Sequence, residues 1–122
     1  MAVNLVQIAA SDQITAVDDS GTTTDTLYTS TGVVTQINQI TVMNTSTSPL
    51  WVSFWILPSG TAASTVPATW TQGVIAGAGG VLDGSTIISG LLGHLIPVNG
   101  TLKCSAGVTN VGYVTASGIT VS

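Results

Sequence analysis

The sequence has no arginine and no glutamate, and its formally charged side chains are one lysine, Lys103, and five aspartates. Charged residues make up 5 % of the 122, where about 25 % is ordinary. Binding nucleic acid through its phosphates needs clustered Lys and Arg to displace condensed counterions, so a nucleic-acid partner is excluded. The single cysteine, Cys104, rules out an internal disulfide; it fits a reducing cytoplasm and reads as a small apolar core residue. With His94 the only histidine, a tetrahedral zinc site lacks ligands. The most apolar stretch, residues 74–96, contains Asp83, His94 and six glycines, so no membrane span is expected. Met1 to Gln7 has no positive side chain, so no secretory signal is expected either. The net charge of −4 is that of Asp12, Asp18, Asp19, Asp25 and Asp83 offset by Lys103.

What the chain has instead is β-branched side chain: 20 Thr, 15 Val and 10 Ile. These residues favour strands, and no segment keeps a helical period over three turns. The length fits one domain, residues 1–122. The 14 glycines and 4 prolines punctuate short apolar runs, the spacing of an all-β sandwich or barrel. The clearest strand is Leu50 to Leu57, stopped by Pro58-Ser59-Gly60. Both its faces are apolar: Leu50, Val52, Phe54 and Ile56 on one, Trp51, Ser53, Trp55 and Leu57 on the other. Such a strand has core on one side and a covering element or a partner on the other.

Residues 35–43 read as a strand whose alternation slips between Ile37 and Ile40, as one bulge residue would cause. Further strands are expected at 26–29, 86–89, 91–98, 101–104 and 110–121, where Val111, Tyr113, Ile119 and Val121 share a face. Residues 3–9 read as a strand or as an arm pairing with a neighbour, and 10–25 as an exposed loop. Ala76 to Gly80 reads as a glycine-rich loop.

Chemistry-bearing patterns are thin. His94 with the many Ser and Asp residues allows a triad by composition, but Ile88-Ser89-Gly90 lacks the first glycine of a nucleophile turn. The expectation is no enzyme, with His94 a hydrogen-bonded residue at a strand end. Asp12, Asp18, Asp19 and Asp25 lie close enough in sequence to converge on calcium, without the twelve-residue loop and its terminal Glu; the alternative is a solvated loop whose aspartates cap turns. No cofactor is expected: Gly77-Ala78-Gly79-Gly80-Val81-Leu82 has leucine where a dinucleotide loop needs its third glycine. Asn44-Thr45-Ser46 and Asn99-Gly100-Thr101 match the glycosylation pattern. Trp51, Trp55 and Trp70 read as core or interface packing, or as a platform for sugar rings. So little charge leaves the surface poorly defended against association, and edge strands without lysine invite pairing. A homo-oligomer, dimer or trimer, is expected.

Several phrases then fall in a recognisable order: Thr26-Leu27-Tyr28-Thr29, Ile40 to Ser46, Val52 to Leu57 with Pro58-Ser59-Gly60, Asn99-Gly100-Thr101-Leu102, and Ala116-Ser117-Gly118-Ile119-Thr120-Val121. In this order the chain resembles small all-β virion proteins of tailed bacteriophages over about residues 26–121. It departs from them in having no acidic residue in the Asn99-Gly100-Thr101 turn. The resemblance implies a jelly-roll-like β-sandwich, with an immunoglobulin-like sandwich as the alternative. It also implies a structural place on the virion, made in the host cytoplasm: a capsid decoration or cement protein on the outer shell, partnered by the major capsid protein. The alternative is a neck, tail or fibre-associated module binding host glycan. Contact candidates are Val3, Leu5, Val6 and Ile8 on the arm, Trp51, Trp55 and Leu57 on the second face of the 50–57 strand, and Trp70 and Tyr113.

Overall fold

A computed structural model of the protein describes residues 2–17, 21–77 and 84–122. Its strands are β1 (Val3–Gln13), β2 (Asp25–Thr29), β3 (Val34–Asn44), β4 (Leu50–Leu57), β5 (Trp70–Val74), β6 (Gly84–Ile87), β7 (Leu95–Ile96), β8 (Thr101–Ala106) and β9 (Gly112–Val121). Sheet I runs β1-β9-β3-β6, with β7 also on β3; sheet II runs β2-β8-β4-β5. Every pairing is antiparallel. The pairs are nested, first strand with last and second with next to last, as in a long hairpin folded over on itself. That is the jelly-roll order. An immunoglobulin sandwich would place the first two strands in one sheet; here β1 and β2 lie in different sheets. The partner of β3 is split into β6 and β7 by a 3₁₀ turn at Ser89–Leu91, which keeps that edge short and hard to extend.

The core between the sheets follows from alternation. Ile37, Ile40, Val42, Val114 and Ala116 of sheet I face Leu50, Val52, Phe54, Leu102 and Cys104 of sheet II, all buried in one cluster. Burial pushes the Cys104 thiol up, helped by the charges of Asp25 and Asp12, so it is inert as a nucleophile. The β3 slip is present as a register shift between Ile37 and Gln39.

Three expectations need correction. The strand expected at 3–9 continues to Gln13, and β1 pairs with β9 of its own chain rather than reaching out as an arm. It gets past Ala9 through register shifts, with Ser11 at φ 56°. The loop expected at 10–25 contains the buried Ile14 and Ala16, because this segment crosses between the sheets: Ile14 N–H donates to Gly112 O at 2.8 Å, and Ala106 N–H donates to Ala16 O at 3.0 Å. The strand expected over 91–98 is only the two residues of β7, since Leu91 turns into the core through the 3₁₀ turn.

Asp25 anchors the crossing. Its Oδ2 accepts the N–H groups of Thr15 (2.6 Å) and Ala16 (3.0 Å), and its Oδ1 accepts the Thr15 hydroxyl (2.8 Å). Partial burial raises its pKa, but these three bonds outweigh that and hold the carboxyl below its ordinary value. A carboxyl depressed on folding stabilises above its unfolded pKa, about 3.9, and loses that contribution as pH falls through the folded value. Asparagine can still present one oxygen to both amides, but it sets an NH2 group against the Thr15 hydroxyl and gives up the charge that strengthens all three bonds, so Asp25→Asn is expected to cost about 1–2 kcal/mol at neutral pH. The gap in melting midpoint between wild type and Asp25→Asn should shrink below about pH 4; a gap constant from neutral pH into strong acid would remove this role.

Candidate functional site

The phrases that carry the resemblance are corner pieces of the jelly roll. Tyr28 Oη lies 3.0 Å from Thr35 Oγ1, which lies 2.6 Å from Ser30 Oγ. Since Ser30 donates to Val33 O (2.6 Å), Thr35 must donate to Ser30 and Tyr28 to Thr35, closing a hydroxyl chain in which Ser30 and Thr35 are fully buried. Asn44, also fully buried, ties the β3–β4 corner, so the folded chain offers no glycosylation site there. Gly60 takes φ 79° in the turn after β4. Asn99 takes φ 60° and accepts the Gly32 N–H at 3.0 Å, and a Cβ at Gly100 would lie 2.7 Å from Leu57 O. These residues explain the fold and leave function to the surface.

No group of three or more metal-ligating side chains stands together among the described residues. Asp18 and Asp19 lie outside them, and both Asp25 oxygens are occupied by Thr15 and Ala16. His94 is exposed just before β7, and its hydrogen bonds are made by its backbone, the carbonyl accepting Ile37 N–H (2.9 Å) and the N–H donating to Leu91 O (3.1 Å). No helix among the described residues is long and apolar enough to cross a membrane.

The tryptophans are dispersed. Trp55 and Leu57 are buried with Ala63 beneath the β4–β5 connection, and the Trp55 Nε1–H donates to Val66 O at 3.3 Å. They are therefore core residues, covered by their own chain and closed to a partner. Trp70 lies on Gly90, where any Cβ would overlap its ring. Its Nε1–H donates to Gln72 Oε1 (2.8 Å), and Gln72 Nε2 donates to Ile87 O (2.9 Å), so Trp70 bridges β5 to the β6 edge of the other sheet. Trp70 keeps 39 % of its surface exposed, and Trp51, at 64 %, stands furthest out into solvent. Tyr113 is half-buried, its hydroxyl receiving Gln13 Nε2–H at 2.9 Å.

The arm candidates divide by side. Val6 and Ile8 turn inward onto the core, while Val3 and Leu5, the latter 90 % exposed, stand on the outer face of sheet I. Register places Val3, Val121 and Val34 in one row across β1, β9 and β3. The next row is Leu5, Ile119, Gln36 and Leu95. The two rows form an aliphatic patch with no charged side chain among its members. Beside Leu5 runs a groove of about 470 Å³ over Ser117 and Gly118, bounded by Gln39. Among the described residues the outer edge of β1 has no partner strand in the sheet. Val34, Leu95, Ile119 and Val121 were not expected at a contact; the shared face of Ile119 and Val121 was the available signal, and it is the outward one.

No protein-family model and no curated protein matches the chain. Among solved structures it is similar to a chain in the structure of infectious bursal disease virus Gx strain, with a TM-score of 0.47 and 17 % identity. The match covers 98 % of this chain and 32 % of that one, so the chain spans about a third of that chain's length.

Proposed function

We propose that the protein is a structural component of a tailed-phage virion, of the capsid decoration or cement type, acting without a reaction of its own. It seats the outer face of sheet I on a shell of major capsid protein in many copies and joins neighbouring capsomers. The observation that carries this reading is the uncharged aliphatic patch of Val3, Leu5, Val34, Leu95, Ile119 and Val121 beside the unpaired β1 edge. Contiguous exposed apolar surface on a folded domain marks an interaction site. Burying Leu5 alone is worth about 2 kcal/mol, and modest contacts repeated over a lattice add up to a stabilised shell. An apolar contact of this kind is insensitive to salt. The same edge supports pairing between copies, as dimer or trimer.

Leu5→Asp tests it. The site is 90 % exposed, so the melting midpoint should stay within about 2 °C of wild type. A carboxylate desolvated in the contact should lower particle occupancy about tenfold or more. Quantitative gels of purified virions read both the copy number against the major capsid protein and the loss on substitution. A few copies per particle would move the protein to the neck, tail or fibre, and full occupancy by Leu5→Asp would remove the patch from the contact.

A further inference from the structure

The opposite face of the sandwich, the outer side of sheet II, carries one exposed aromatic side chain in unusual surroundings. Trp51 is 64 % exposed. Its partner on β5 is Gly73, and on its other side Gly107, just past β8, donates its N–H to the Trp51 carbonyl at 2.8 Å. Neither glycine is required by crowding: a Cβ at Gly73 would meet nothing within 4 Å, and one at Gly107 would lie 3.8 Å from the Trp51 Cβ, an ordinary contact. Neither takes the left-handed φ found at Gly21, Gly32, Gly60 and Gly93. Glycine inside a strand costs about 0.5–1 kcal/mol relative to alanine. Where no bulge, bend or neighbouring backbone accounts for it, such a glycine leaves room for a ligand to come close to the strand. Here the two glycines leave both flanks of the indole uncovered.

The adjacent row on the same face is polar. Thr71, Ser53 and Ser105 sit side by side on β5, β4 and β8, with Ser53 and Ser105 buried and Ser53 Oγ 3.0 Å from Thr71 Oγ1. With Trp51 and Val17 they line a depression of about 570 Å³, inside the roughly 300–1,000 Å³ range of small-molecule sites. Among the described residues no charged side chain lines it, so none of them would fix a carboxylate or phosphate. An open aromatic face beside the exposed Thr71 hydroxyl, with the uncharged Ser53 and Ser105 beneath it, suits a ligand with one apolar face and a rim of hydroxyl groups.

We infer that this depression binds a neutral saccharide, one pyranose ring lying against Trp51 in the space left by Gly73, its hydroxyls exchanging hydrogen bonds with the exposed Thr71. The site is on the face away from the sheet I patch and does not depend on the virion reading.

The experiment is titration of the whole protein, followed by NMR, with maltotriose, cellotriose, the β-1,4-linked trimer of N-acetylglucosamine and lactose, and with sialyllactose as the acidic comparison. Saturable binding of at least one neutral sugar is expected, with shifts centred on Trp51 and Thr71. Gly73→Val fills the space beside the indole in a position open to a side chain, and valine suits a strand. It should melt at or above wild type and bind about tenfold more weakly or worse. Trp51→Ala should abolish binding, and Leu5→Asp should leave it unchanged. The inference is overturned if no neutral sugar binds, if only sialyllactose does, or if Gly73→Val binds like wild type. It is equally overturned if Trp51→Ala dissociates an oligomer, which would make this face a contact between copies.

Discussion

Gly118→Ala is expected to lower the melting midpoint by roughly 12 °C, the equivalent of about 3 kcal/mol for a chain of this size. Gly118 lies in β9 between Val6 of β1 and Ile37 of β3, at the centre of sheet I. A Cβ built there would overlap the Gln36 carbonyl oxygen and come within 3.2 Å of Ile8 Cδ1. The first obstacle is main chain held by the β3–β9 pairing, so no side-chain rotation relieves it; β3 and β9 must separate or shift register. Gly73→Ala is the matched control, since that strand glycine has nothing within 4 Å of its Cβ, and it should be neutral or stabilising by about 0.5–1 kcal/mol. Thermal melts of the two variants with wild type check the difference in sign. Equal effects would mean that the sheet yields at Gly118, and that the Ala116-to-Val121 phrase is not constrained by this close approach.

The β architecture was legible because alternation and turn chemistry are local. β4 begins and ends where its apolar run and Pro58-Ser59-Gly60 place it, and the β3 bulge shows as a break in period between Ile37 and Ile40. β5 was not legible: Trp-Thr-Gln-Gly-Val has neither alternation nor a β-branched run, and it is a strand because β4 supplies its ladder. The leucines of 91–96 read as strand, yet Leu91 is buried from a 3₁₀ turn and Leu95 points outward. Ile14 and Ala16 read as loop because a crossing between sheets has no periodic signal, only long-range partners such as Gly112 and Ala106.

The surface was legible one strand at a time. Val3 and Leu5 could be picked from alternation, but their joining with Val121, Val34 and Ile119 depends on register across β1, β9 and β3. The two apolar faces of β4 pointed to a covering element or a partner, and the structure uses a covering element at Trp55 and Leu57 while leaving Trp51 open. The glycines beside Trp51 lie 22 and 56 positions along the chain from it, and nothing local connects them to it.

Asn44→Asp, almost isosteric, is expected to be the most damaging conservative change in the protein, at about 3–5 kcal/mol near neutral pH. Asn44 is fully buried and uses its whole amide. Its Nδ2 donates to Ser48 O (2.7 Å) and Ile75 O (3.1 Å), and its Oδ1 accepts Ser46 N–H (3.0 Å) and the Ser46 hydroxyl (2.8 Å). An ionised carboxyl keeps the two accepted bonds and turns the two donated ones into repulsions between oxygens, without solvent to relieve them. Protonation restores one donor, so the introduced group has a folded pKa above its unfolded value of about 3.9. Its destabilisation is therefore greatest above the folded pKa and eases as pH falls towards the unfolded one. That is the reverse of the Asp25 contribution, which acid removes. Melts from neutral pH down to about pH 4 should show wild type nearly flat and Asn44→Asp gaining on it. A variant that instead lost stability in parallel with wild type would show that the corner opens and hydrates the new carboxyl, and that the Asn44 amide does not hold β3, β4 and the exit of β5 together.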